Sequence, residues 1–195
     1  MSVFNFKITG LDYTLPYPSL TTISYPVESM GGRLGIHLTC SRSSDESVLV
    51  ITDRPEKSIK RDIESYLEVS SFESPSEILI EEIHDEVDLL GILNETEADI
   101  VLIEFYSQYT INPKVERQLS EFVITEDTYV FVSSPFISET MLSIADVNMK
   151  FELKSRSDTI ITNLTIPKNR FGSPITDKQQ FEFDPTLKLD NTDSI

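Results

Sequence analysis

The chain has 195 residues, with 33 acidic against 16 basic side chains and a formal net charge of −17 at pH 7. At 39% hydrophobic and 25% charged residues, it has the composition of one globular domain with a substantial core, which excludes wholesale disorder. The acidity speaks against nucleic acid and against a polybasic membrane anchor, because Lys and Arg supply most of the affinity for both.

The same acidity fits a surface adapted to a salt-rich cytoplasm better than one built for a dedicated cationic partner. Residues 1–10 hold no long apolar region, so a signal peptide is not expected. No apolar run approaches the ~18–20 residues that cross a bilayer. A soluble, cytoplasmic protein is expected. Cys40 is the only cysteine, so neither an intrachain disulfide nor a Cys-based zinc site is possible. With His37 three residues away and no Lys beside it, Cys40 reads as a small buried hydrophobe.

In chain order, residues 19–24 and 47–52 are β-branched runs between polar turns and predict buried strands. The span 30–42 between them predicts a short helix, weakened by Gly31, Gly32 and Gly35. From Pro55 the period changes: Ile59, Ile63, Tyr66 and Leu67 share one face of a helix whose other face is charged. A short strand is predicted over 77–80 and a helix over 84–95. Residues 99–105 are the clearest buried strand. Asn112 then caps a helix with Pro113 at its first position, and Val115, Leu119, Phe122 and Val123 face inward. Another strand follows over 128–133. Strands alternating with helices of about a dozen residues imply a parallel sheet with crossover helices. After residue 146 the helical pattern stops, and 147–153 and 159–166 predict an antiparallel edge. The expected organisation is a single α/β domain over 1–185 and a polar C-terminal tail over 186–195.

Five local patterns in this order resemble the RecA-like ATPases, in particular their archaeal KaiC-like branch. Thr9-Gly10-Leu11-Asp12 with Pro18-Ser19-Leu20-Thr21 is similar to the segment leading to that family's first core strand. Residues 48–61, with Arg54-Pro55-Glu56, resemble its second strand and the helix start that follows. Residues 98–104 lie where the family has its Walker B strand. Ala145-Asp146-Val147 resembles a later strand, and Ile166-Pro167-Lys168-Asn169-Arg170-Phe171-Gly172 resembles its C-terminal x-P-K-x-R-G, with Phe171 inserted. The resemblance implies a RecA-like three-layer αβα domain, mainly parallel, with antiparallel C-terminal edge strands.

The catalytic parts are altered. A phosphate loop reads G-x-x-x-x-G-K-S/T, and none of the six glycines begins that pattern. In its place stand Glu28, Ser29, Gly31, Gly32 and Arg33. Glu28 puts negative charge where phosphate would lie; Ser29 and Arg33 make at most a makeshift anion site, and a plain connecting loop is the simpler reading. Glu104 stands at the Walker B position, where it is either a retained carboxylate or a solvent-facing strand end. Asp53 is the one acid where KaiC-like members carry paired glutamates. The resemblance therefore implies a degenerate nucleotide site and a pseudo-ATPase with no cofactor, ATP with Mg²⁺ being the alternative.

Lys168 and Arg170 match basic residues that in this family reach toward a neighbouring subunit's nucleotide; the competing reading is a solvated turn. They are candidates for a trans-acting role in a mixed ring with a catalytic KaiC-like relative. His84, with Asp85 and Glu86, reads as a helix-surface charge run, since neighbours along a helix diverge. Tyr106 and Tyr109 follow the central strand and either line a ligand or partner groove or cap the core. The reading is a regulatory or adaptor protein of archaeal signal transduction that binds a protein partner, with oligomers possible. A divergent ATP-binding subunit and, further off, a recombinase paralogue are the alternatives.

Overall fold

A computed structural model describes residues 4–5, 13–27, 32–40, 45–69, 75–84, 86–95, 97–105, 112–156, 159–184 and 186–189. Two short strands, β1 (Phe4–Asn5) and β2 (Thr14–Leu15), pair antiparallel. The body of the chain runs β3 (Leu20–Ser24), α1 (Gly32–Cys40), β4 (Ser47–Thr52), α2 (Glu56–Val69), β5 (Glu77–Glu82), α3 (Glu86–Glu95) and β6 (Ile100–Glu104). It continues with α4 (Pro113–Glu126), β7 (Tyr129–Ser134), α5 (Glu139–Ile144), β8 (Val147–Arg156), β9 (Thr159–Asn169), β10 (Ile175–Asp184) and β11 (Thr186–Leu189).

Strands β3 to β11 form one nine-stranded sheet in the order β11-β10-β9-β8-β3-β7-β6-β4-β5. Six strands, β5 through β8 in that order, pair parallel. The flank β9 to β11 is antiparallel. Strand alternation divides the core in two. Val48, Val50, Ile100, Leu102, Tyr129 and Phe131 pack with Leu34, Leu38, Ile59 and Ile63 of α1 and α2. Leu49, Ile51, Val101, Ile103, Val130 and Val132 pack with Leu89, Leu93, Val115, Leu119 and Met141 of α3, α4 and α5. This double-sided burial explains why the central strands read as continuous apolar runs.

Five elements depart from the sequence expectation. The pair β1–β2 was not expected, and neither were α5 and β10. The segment expected to be a polar tail from 186 opens with β11, which pairs with β10 from Phe181↔Leu189 to Asp184↔Thr186. The Asn112 cap holds: its side chain accepts from Lys114 N at 2.9 Å, and Pro113 is the first helical residue. Among the described residues no helix is long and apolar enough to cross a membrane.

Candidate functional site

Three parallel strands end side by side at the carboxyl edge of the sheet, in register Thr52↔Glu104↔Ser133. All three side chains lie on the α1 face and are buried, Glu104 to 2% exposure. Glu104 is therefore not a solvent-facing strand end. Its Oε1 and the Oγ of Ser133 have no hydrogen-bond partner among the described residues. Gly35 of α1 closes the wall, since a Cβ there would stand 3.6 Å from Glu104 Oε1 and 3.2 Å from Leu102 Cδ2.

Arg54 lies across the remaining side. Its Nη1 is 3.7 Å from Glu104 Oε2, while Nη2 binds Asp62 at 2.5 Å and Ser58 at 3.0 Å. The turn that places it is fixed by its own N–H donating to Thr52 Oγ1 at 3.1 Å. Burial lifts the Glu104 carboxyl to about 7; Arg54 opposes the shift, and Asp53 and Asp62 add to it. Asp53, half-buried in the same turn, adds negative charge near Glu104. Sequence reasoning picked out Asp53 and Glu104 but not Arg54, the residue that covers Glu104. The signal for it was adjacency to Asp53 and the helical spacing from Arg54 to Ser58 and Asp62.

Gly32 and Arg33 form the first turn of α1. Glu28, Ser29 and Gly31 lie outside the described residues, as do Tyr106 and Tyr109. His84 is 80% exposed and 3.9 Å from Glu82; Asp85 lies outside the described residues. Among the described residues no group of three or more His, Cys, Asp or Glu side chains is placed to hold a metal ion. Cys40 is fully buried and its thiol is pushed up to about 12 by burial, as a small core hydrophobe would be. The buried carboxylate of Glu104 is walled by Gly35 and faced by the Arg54 guanidinium.

Lys168 and Arg170 stand at the other end of the sheet. β9 runs antiparallel to β8, so Lys168 sits opposite Asn148 and Asn169 opposite Val147, at the amino edge of the parallel strands. Lys168 Nζ donates to the carbonyls of Leu142 and Ser143 at 3.1 and 2.6 Å, closing the C-terminus of α5. Its pKa is lowered by burial first and by Arg170 second. Arg170 Nη1 donates to Asp146 Oδ1 at 2.6 Å, and Asp146 Oδ2 accepts from Leu20 N at 3.0 Å. One copy of the chain thus does not bring Lys168 or Arg170 to Glu104.

Six parallel strands between two helical layers, extended by an antiparallel flank, make this a RecA/KaiC-like fold. The solved structure described as the KaiC-like protein PH0186 from the hyperthermophilic archaeon Pyrococcus horikoshii OT3 matches it with a TM-score of 0.76. The match covers 97% of this chain and 99% of that one at 12% identity, which shows a shared fold. No protein-family model matches the chain, and no curated protein matches it significantly.

Proposed function

We propose that this chain is a non-catalytic RecA/KaiC-like protein, a regulatory or adaptor subunit of archaeal signal transduction that works in the cytoplasm by binding another protein. The observation that carries this reading is Glu104. The one acid at the Walker B position is buried between Gly35 and Arg54, with its ionisation pushed to about 7. A carboxylate that assists phosphate chemistry has to be charged and reachable. The sequence supports the reading a second time, since no glycine begins a phosphate loop.

Calorimetry with Mg-ATP tests it. No heat of binding up to millimolar nucleotide is expected; micromolar affinity would overturn the reading and favour a divergent ATP-binding protein. The partner in this proposal is a catalytic KaiC-like relative, to which the chain offers Lys168 and Arg170. Their position at the sheet edge away from Glu104 supports a use outside their own subunit. Stimulated ATP turnover by such a relative is expected to fall when both residues become alanine. Turnover unchanged in that double variant would remove the trans-acting role.

A further inference from the structure

The 17 surplus negative charges are unevenly placed. Residues 147–195 hold seven basic and seven acidic side chains, so the whole surplus lies in residues 1–146. The fold brings a basic, aromatic feature of the balanced part and an acidic cavity of the charged part to the same edge of the sheet, the amino edge of the parallel strands.

The basic feature is the β9–β10 turn. Asn169 shapes it: its Oδ1 accepts from Phe171 N at 3.0 Å and its Nδ2 donates to Ser173 O at 3.3 Å. A Cβ at Gly172 would stand 3.2 Å from that Nδ2, so a glycine suits the turn. Phe171 packs on Tyr17 with ring centroids 6.2 Å apart, and Tyr17 is 56% exposed. Arg170 is 58% exposed and tied to Asp146 through Nη1, which leaves most of its five N–H donors available.

The acidic feature lies three to five strands away, roughly 14–24 Å at ordinary strand spacing. It is a cavity of about 440 Å³ lined by Ser47, Glu97, Asp99, Phe122, Glu126 and Thr128. One feature offers a guanidinium beside an aromatic pair. The other offers the carboxylates of Glu97 and Glu126, with Asp99 accepting from Ser47 N and Oγ, beside the ring of Phe122.

We propose that two copies of this chain associate through their amino edges, the Arg170–Phe171 turn of each seated in the acidic cavity of the other. Each copy carries both halves of the contact, and paired reciprocally about a two-fold axis the two contacts close as a dimer. The self-repulsion of a −17 chain disfavours contacts between two acidic faces, whereas this one sets opposite charges together. Exposed ion pairs alone contribute little, so Tyr17, Phe171 and Phe122 supply the apolar part of the contact. This dimer stands whether or not the turn also serves a catalytic relative; a partner that takes Arg170 must compete with it.

Sedimentation velocity on the full chain tests the dimer. The unaltered protein is expected to dimerise reversibly, and less so in high salt. R170E and E126R are each expected to weaken the dimer at least tenfold. An equimolar mixture of the two is expected to restore it, because the acidic turn of one then meets the arginine-bearing cavity of the other. A protein that stays monomeric at every concentration, a dimer indifferent to both changes, or a mixture that fails to recover while both variants are folded would each overturn the proposal.

Discussion

Glu104 couples the buried carboxyl edge to pH. An unfolded glutamate ionises near 4.5, whereas in the fold burial raises this one to about 7. The folded state therefore holds its proton longer. The stabilisation is fully present below the unfolded pKa and is lost as pH rises through the folded one, a loss of about 3 kcal/mol across that window. Glu104→Gln cannot titrate and keeps nearly the same shape. Relative to the unaltered protein, this variant is expected to gain stability between pH 5 and pH 8, measured as the difference in urea unfolding free energy at the two values. A difference that does not change with pH would mean that Arg54 keeps Glu104 ionised throughout. Because the comparison is a difference, the titration of the other carboxylates cancels from it.

At the scale of elements, α5 shows most clearly what remote contacts add. Six residues are too few to hold a helix on their own. Both ends of α5 are closed by side chains. Ser138 Oγ accepts from Met141 N at 2.9 Å and donates to the buried carboxylate of Glu116, whose other oxygen has no partner among the described residues. Lys168 closes the far end from 24 residues further along the chain than Ile144. Ser138→Ala removes a cap worth ~1 kcal/mol and leaves Glu116 without that donor, a further ~1–3 kcal/mol. It is therefore expected to destabilise more than Asn112→Ala, which removes an exposed cap, as read from urea midpoints. Equal losses would show that Glu116 finds another donor. Lys168→Ala removes the far cap, so any assay of its trans-acting role needs a matched stability measurement.

The same contrast explains what the sequence disclosed. Elements with their own signal were legible: the Ile59-Ile63-Tyr66-Leu67 face of α2, the Asn112-Pro113 start of α4, and the apolar runs of β4 and β6. Strand β10 exists through pairing with β9 and β11 through pairing with β10, while α5 depends on Lys168 and Glu116. These were missed for want of a local pattern. At the site, Glu104 was legible as the end of a buried strand. Its enclosure was not, because it depends on Gly35 and on how Ser58 and Asp62 hold Arg54.

For the whole molecule, the placement of charge predicts two responses to salt with opposite signs. Crowding the surplus into residues 1–146 puts its repulsion on the helix-bearing part of the fold, which salt should relieve. Screening is nearly complete by molar salt, where the Debye length is about 3 Å. A urea midpoint that keeps rising into molar KCl therefore needs a further cause, an acidic surface adapted to bind hydrated cations, and that is the outcome expected for a protein of a salt-rich cytoplasm. A plateau at moderate KCl would leave repulsion as the whole explanation and remove the salt adaptation. Over the same range the amino-edge dimer should weaken, because its contact sets Arg170 against Glu97, Asp99 and Glu126. Stability rising while association falls separates the charge that repels within one copy from the charge that attracts between two, and no change in the overall acidity alone produces both trends.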